Sequence, residues 1–586
     1  MNNLGSNLDN EINNSEEGNA GAREILDESS SSTSYVAALN LLSSIITPRT
    51  CADETGNNFP IMYEYLKILD LEDSLSQLKV IHIAGTKGKG STCTFVESIL
   101  RAYGFRTGLY TSPHLISICE RYRLDGLKVS EEKFLNHFWW CWNRLKENSM
   151  EDIHFFRFLT LVAFKIFTEE KVDVAILEVG LGGKFDATNV VNSPVVCGIS
   201  SLGYDHMEIL GNTLTQIARE KAGIMKPGVP VFTVPQPEDA RRVLEDVASE
   251  LLVPLHVVSP LDPATLGGLN LGLAGDHQCI NAGLAVALCC SWLRRTGHLE
   301  EFNPQESAIG EGYLPDSFVK GLVMANIEGR AQIIHDSYVK QRVQCNMEEA
   351  GNADFSELIF YLDGAHTPES MDTCAKWFSS AIKMDTKSHV QTREIHKETQ
   401  NGFTEFISNF DHQQHSIKNS KMSSKQVLLF NCSSERDPQL LLSQLVNTCI
   451  LHGVNFNRAI FVPSHSSFTQ FVSSTSTRHD STKVDLTWQL SLQRTWENVI
   501  CGCREITKND QEIGPRFSAM PPCDFFLSEP SMENTKDHLI SAVLPSVPLT
   551  IKWLRECVGQ SHSLRLQVLV TGSLHLIGDV LRTLKE

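Results

Sequence analysis

The chain has 586 residues, 41% of them hydrophobic, which is too long for a single core and sufficient for two packed domains with extra segments. Its 51 Lys and Arg against 70 Asp and Glu give a net charge of -19, which argues against nucleic acid or an anionic membrane as partner, so an anionic ligand needs a locally basic site. The 16 cysteines are scattered without CxxC repeats, and the longest apolar run, 282–293, is too short to span a bilayer, so a reduced chain with no membrane segment fits best.

Residues 1–33 are rich in Asn, Glu, Ser and Gly and are expected to be disordered. Their basic content is Arg23 alone among acidic residues, opposite to a transit peptide, so a cytosolic location is expected. A first domain is expected over 34–309, opening with helices at Tyr35–Ile46 and Met62–Leu71. Val80–Phe95 then reads VIHIAGTKGKGSTCTF, a buried strand, a glycine-rich loop and a helix. Gly85, Gly88 and Gly90 let the backbone approach a phosphate, the amides of Thr86, Lys87 and Ser91 lie in the same turn, and Lys89 supplies the positive charge. The spacing is not the Walker form, because Ile83 stands where its first glycine belongs and Gly90 where its hydroxyl follows the lysine. Either Ser91 reaches a metal or the metal's ligands come from elsewhere. A plain glycine turn is the alternative.

Thr107–Tyr110 predicts a second strand, broken at Ser112-Pro113-His114, where Ser112 is a candidate metal or phosphate ligand or a turn cap. A helix is expected over Phe155–Phe167, and the aromatic cluster 138–142 reads as core. Val172–Leu177 predicts a buried strand ending on Glu178, where a Mg²⁺ nucleotide needs a charged oxygen; a solvated strand end is the alternative. Val195–Ser201 repeats the pattern and delivers Gly203-Tyr204-Asp205-His206 to the same edge. The helix over Leu214–Met225 places Lys221 beside Ala222 and Gly223, where burial of the amine lowers its pKa; a surface lysine is the alternative. Strands at Val231–Val234 and His256–Val258 continue a doubly wound sheet, and His277, Gln278 and Asn281 open a small-residue helix.

A linker or hinge is expected over 310–330 and a second α/β domain over 331–586, with strands at 358–362, 427–430, 459–462, 525–527 and 566–570. Polar stretches near 387–425 and 464–483 read as surface insertions. Asp363-Gly364-Ala365-His366 caps the first of these strands, where a ribose or phosphate could be held, and Arg436-Asp437-Pro438 and Thr571–His575 occupy the same kind of position.

Taken together, HIAGTKGKGSTC, TSPHL, EVGLGGKFDATN, DHMEILG, EKAGI, DGAH and TGSLHL make the chain resemble the folylpolyglutamate synthases, of plant type, in the Mur ligase superfamily. The resemblance implies two open, mostly parallel-sheet α/β domains, an N-terminal P-loop ATPase domain and a smaller Rossmann-like C-terminal domain. It implies ATP-dependent joining of L-glutamate to the γ-carboxylate of tetrahydrofolate and its polyglutamates through an acyl phosphate, by a monomer using ATP and Mg²⁺, with a monovalent cation such as K⁺ as a further candidate. Gly85 to Ser91 would bind the triphosphate with Lys89 on its β and γ phosphates. Ser112, Glu178 and His206 would hold Mg²⁺, and Lys221 would be carbamylated and face a second metal. Asn281 would contact adenine, Arg330 a phosphate after domain closure, and Asp363 and His366 the ribose and phosphate side. Two positions depart from the family pattern: Glu328 stands where proline usually precedes the Gly-Arg pair, and Arg219 where a small residue is common. The region between Met150 and Phe155 is also shortened. Dihydrofolate synthase activity with the same machinery is the second reading, and a nucleotide-binding regulator without turnover the third.

Overall fold

The computed structural model describes residues 34–46, 58–150, 153–298, 314–337, 356–401, 423–464, 485–501, 520–527, 540–561 and 564–586. The expectations for 1–33, for most of the insertion at 464–483, for the start of the linker at 310–313 and for the shortened stretch at 151–152 lie outside the described residues. The chain splits into two compact units. The first comprises Met1–His114, Ile118–Gly267 and Asn281–Leu322, and the second Leu115–Ser117, Gly268–Ile280 and Val323–Glu586.

The first unit is built on an eight-stranded sheet of order β4-β3-β2-β5-β1-β6-β7-β8. Its strands are β1 (Val80–Ala84), β2 (Thr107–Tyr110), β3 (Tyr122–Leu124), β4 (Leu127–Lys128), β5 (Val174–Glu178), β6 (Val196–Ile199), β7 (Val231–Thr233) and β8 (Leu255–Val257). From β2 to β8 all neighbours run parallel, while β3 and β4 add an antiparallel edge that the sequence reading did not contain. Every residue of β1 and β5 is buried, which is why both read as unbroken apolar runs: a parallel strand covered on both faces has no solvent side to mark with polar residues. β1 lies between β5 and β6, with Ile83 opposite Glu178 and Ala84 opposite Ile199. The loop leaving β1 is therefore flanked by the C-terminal ends of its two neighbours, the place where open α/β sheets bind ligands.

The second unit has a six-stranded sheet of order β13-β12-β11-β14-β10-β9. Its strands are β9 (Gln332–His335), β10 (Glu357–Leu362), β11 (Ser423–Phe430), β12 (Arg458–Phe461), β13 (Ser541–Val543) and β14 (Leu564–Thr571). All pairs are parallel except β9 with β10. Alternate residues feed two separate cores, Leu358, Phe360 and Leu362 one and Ile359 and Tyr361 the other, as the two-residue repeat of a strand requires.

One reading of this half is corrected. Phe525 and Phe526 belong to the 3₁₀ helix Cys523–Phe526, not to a strand. Pro522, with φ fixed at -64 by its ring, caps that turn, and both rings pack on Trp553. The edge position is taken instead by β13, three residues too short to show a period. Of the polar stretch 387–425, residues 402–422 lie outside the described residues; the helix Pro368–Asn401 runs into it, and β11 begins at Ser423.

Candidate active site

The loop after β1 is held in shape by its neighbours before any ligand is considered. Thr86 N and Lys87 N donate to Ser201 O at 2.9 and 3.0 Å, and Thr86 Oγ1 exchanges hydrogen bonds of 3.1 Å with the backbone of Gly203. The strand end after β6 is fixed in turn by Gln236, which accepts from Leu202 N at 2.9 Å and donates to Ser200 O at 3.0 Å. Gly88 caps the helix Lys89–Tyr103 at φ 86, and a Cβ there would stand 2.1 Å from Asn281 Oδ1. Both the left-handed backbone and the close approach demand glycine. Asn281, 3% exposed, thus lies directly against the turn.

Two lysines converge on one carbonyl oxygen. Lys89 Nζ donates to Gly85 O at 3.0 Å, and Lys221 Nζ donates to the same oxygen at 2.9 Å from the helix Leu214–Ala222. Lys221 is only 4% exposed. Burial first, and then the positive charge of Lys89 beside it, push its amine from 10.5 down to about 7, with Asp205 and Asp186 opposing. A third lysine, Lys87, pairs with Asp205 at 3.0 Å. A strongly acidic chain therefore gathers three lysines around a single glycine loop. Arg219, two positions before Lys221, is exposed, because two helical steps turn it to the opposite side, so its departure from the family pattern does not enter this cluster.

Glu178 closes β5 and is 5% exposed; its Oε2 accepts from Ser112 N at 2.9 Å, which brings the tips of β2 and β5 together. His206 behaves differently. It sits in the left-handed region at φ 51 at the start of the short helix Met207–Leu210, is exposed, and has Nδ1 3.6 Å from Glu208 Oε1. The expected ligand set is thus brought together only in part: Ser112 with Glu178, and Lys221 with the loop. Among the described residues no group of three or more His, Cys, Asp and Glu side chains is poised to hold a metal.

The glycine-rich stretch after Glu178 is held by side chains to which the sequence reading gave no role. Asp186 Oδ2 accepts from Gly180 N and Leu181 N, both at 3.0 Å, while Oδ1 accepts from Thr188 N at 3.0 Å and from the Thr188 hydroxyl. Since that hydroxyl gives its proton to Asp186, the 2.8 Å contact between His82 Nε2 and Thr188 Oγ1 has the imidazole donating. His82 is fully buried in β1, and burial, then the Lys226 charge, lower its pKa to about 3. The quoted motif EVGLGGKFDATN held Asp186 and Thr188, but a carboxylate tying backbone amides leaves no spacing signature.

In the second unit, the turn that carries Arg330 is tied to Asp363. Asp363 Oδ2 accepts from Ala331 N at 2.9 Å and Oδ1 from Ala365 N at 3.0 Å, while Gly364 N donates to Gly329 O at 3.3 Å. Desolvation raises the Asp363 carboxyl, and the Arg330 guanidinium is the first influence opposing it. His366 Nδ1 donates to Gly364 O at 2.8 Å, which sets its tautomer, and its own N–H donates to Ser370 Oγ at 3.0 Å. Glu328 pairs with Lys585 at 2.7 Å on the surface of this unit. Of the two other predicted edge loops, Asp437 caps the helix Pro438–Leu451, and Gly572 N donates to Ala365 O at 3.0 Å beside the Ser573 cap of the helix Leu574–Lys585.

Comparison with known proteins accords with this architecture. A solved Mycobacterium tuberculosis folylpolyglutamate synthase complexed with ADP and AMPPCP superposes with a TM-score of 0.58 at 19% identity, covering 90% of this chain and 95% of that one. The fold is that of the Mur ligase superfamily, with a P-loop unit and a Rossmann-like unit. A folylpolyglutamate synthase of Arabidopsis thaliana is 50% identical over 581 residues, 97% of this chain and 89% of the relative. The mitochondrial folylpolyglutamate synthase of Homo sapiens is 34% identical over 565 residues, 88% and 84% of the two chains. No protein-family model matches the chain. The chain belongs to the folylpolyglutamate synthase family, and its activity is ATP-dependent folate polyglutamylation, an acid–amino-acid ligation.

Proposed function

We propose that the loop Gly85 to Ser91 cradles the triphosphate of ATP, and that Lys89 moves from Gly85 O to the β and γ phosphates when the nucleotide binds. The observation that carries this reading is the convergence of Lys89 and Lys221 on one carbonyl oxygen at the turn, 3.0 and 2.9 Å away. A mobile cation held by a weak neutral acceptor is available to a stronger anionic one. Asn281, against Gly88, would take the adenine side, and Arg330 and His366 the phosphate and ribose side, with Asp363 holding the turn that bears Arg330.

A carboxylate is a poor acylating agent, so the γ-carboxylate of the folate's terminal glutamate takes the γ-phosphoryl group of ATP, releasing ADP and turning the carboxylate oxygen into part of a leaving group. The amine of L-glutamate attacks the acyl phosphate, phosphate leaves and the amide remains. Lys89 and Arg330 neutralise the charge that grows on the transferred group.

The residues fit a magnesium ion. Mg²⁺ is commonly held by one or two carboxylates together with water and substrate phosphates, so the Glu178 carboxylate, with Ser112 held beside it through its backbone N–H, fits the ion without a three-residue protein cluster. The ion would supply charge neutralisation on the phosphates. His206 would need to turn from Glu208 to join it. Lys221 acts as a carbamate: its buried amine, in the neutral form, adds CO₂ and releases a proton, leaving an anion beside Lys89. The support is its 4% exposure and its position against the loop.

The test is ATP consumption by the purified chain with each substrate omitted in turn, with product chain lengths read by mass spectrometry. Turnover should require a folate and L-glutamate together and extend tetrahydrofolate. Turnover with dihydropteroate but not tetrahydrofolate would move the assignment to dihydrofolate synthase, and ATP consumption indifferent to glutamate would overturn the ligation scheme.

A further inference from the structure

The second unit contains a pair of thiols that the ligation does not use. Residues 520–527 lie along one face of the helix Val547–Gln560. Trp553 Nε1 donates to Pro521 O at 2.8 Å, and the Trp553 ring packs on Phe525 and Phe526 with centroids 5.7 and 5.2 Å apart. From the other side, Arg458 Nε donates to Phe525 O at 2.9 Å. Cys557 follows Trp553 by one helical turn and so faces the same way, while Cys523 follows Pro521 at the start of the 3₁₀ turn. Cys557 is 1% exposed within the core that contains Phe525 and Trp553, and Cys523 packs against that core while keeping part of its surface in solvent. The two thiols interact with each other, and together with burial this raises the Cys557 thiol.

We infer that Cys523 and Cys557 form a reversible disulfide site, loaded by a small-molecule disulfide, that staples residues 520–527 to the helix Val547–Gln560. Cys523 reacts first because it is the accessible member. Its thiolate attacks one sulfur of the external disulfide, one thiolate leaves, and a mixed disulfide forms on Cys523. Cys557 gives up its proton and attacks Cys523 Sγ, expelling the second thiolate. In balance, two S–H bonds become one S–S bond, and the external disulfide is reduced to two thiols. Burial of Cys557 makes the second step the slow one, since only the thiolate is nucleophilic.

The experiment uses the full chain, folded, equilibrated in mixtures of reduced and oxidised glutathione, quenched with an alkylating agent and mapped by peptide mass spectrometry. The expected product is a Cys523–Cys557 linked peptide that appears as both alkylated forms disappear together, with a Tm raised by several degrees, about what a cross-link constraining the unfolded chain produces. Cys557→Ala should stop at the glutathione adduct of Cys523, and Cys523→Ser should leave Cys557 reduced. Because Cys523→Ser alters a partly exposed side chain, it keeps the test open if Cys557→Ala does not fold. Recovery of Cys557 as a free thiol at every ratio, or linkage of Cys523 to a different cysteine, would overturn the inference.

Discussion

The sheet edges of the two units solve opposite problems with the same kind of loop. After β1, the backbone is fixed by other backbone and by neutral side chains, Ser201 O, Gly203 and Gln236, and among the described residues Lys89 and Lys221 donate only to backbone carbonyls. After β10, the charged group is itself the fastener: Asp363 uses both oxygens on the amides of Ala331 and Ala365, and so fixes the turn bearing Arg330. A charge held by a weak partner can change partner when a ligand arrives, whereas a carboxylate shared by two amides is costly to release. The first edge is therefore read as chemical machinery and the second as a frame for one arginine.

Removing the machinery should have the largest effect. Lys89→Ala is expected to leave the fold intact, because among the described residues Lys89 donates only to the Gly85 and Thr86 carbonyls, and to lower kcat by about 10²-fold or more, the scale of one lost charge stabiliser. Steady-state kinetics beside a thermal melt check this; near-native turnover would remove Lys89 from the mechanism. Removing the frame should cost less chemistry and more stability. Asp363→Asn replaces one acceptor oxygen with a donor, so one of the two amides loses its partner, and a loss of about 1 kcal/mol is expected in chemical denaturation. The same variant should reduce kcat less than Lys89→Ala. If it reduces kcat more without loss of stability, Asp363 touches the reacting groups directly and the contrast between the edges fails.

The effect expected to be smallest at neutral pH, and to grow only in acid, concerns the interior of the first unit. His82 is neutral in the folded chain down to about pH 3, whereas in the unfolded chain it takes up a proton below about 6.5. The unfolded state therefore binds more protons between these values, and stability falls as pH drops from 6.5 toward 3, by up to about 1.4 kcal/mol per unit, with no such contribution above 6.5. His82→Asn should show a flatter acid limb in urea titrations at a series of pH values, and parallel limbs would show that the imidazole does not contribute.

The parts of the molecule visible in the sequence are those where one physical requirement dominates. β1 and β5 were legible because double-sided burial makes them uniformly apolar, and the turn at Gly88 because φ 86 and the contact with Asn281 admit only glycine. The partial burial expected for Lys221 followed from its small neighbours Ala222 and Gly223, and it lies buried in the structure. Elements set by distant contacts were not legible. β13 is three residues long and is placed by pairing with β12, and Phe525 and Phe526 read as strand because their stacking on Trp553 could not be seen locally. The two departures from the family pattern look alike in sequence, yet Arg219 is turned away from the loop and Glu328 pairs with Lys585. His206 was read at the same edge as Glu178, and the left-handed turn at φ 51 leaves it exposed.

The central claim is that two lysines on one carbonyl carry opposite charge in the working enzyme, Lys89 as a cation and Lys221 as a carbamate. The direct measurement is chemical trapping of carbamates in enzyme equilibrated with ¹³C-bicarbonate, followed by peptide mass spectrometry, alongside activity before and after CO₂ is stripped. The account predicts a labelled adduct on Lys221 and none on Lys89, activity that falls on stripping and returns with bicarbonate, and an inactive Lys221→Arg variant, since a guanidinium cannot become an anion. Full activity of Lys221→Arg, or an unlabelled Lys221 in enzyme that turns over normally, would contradict it.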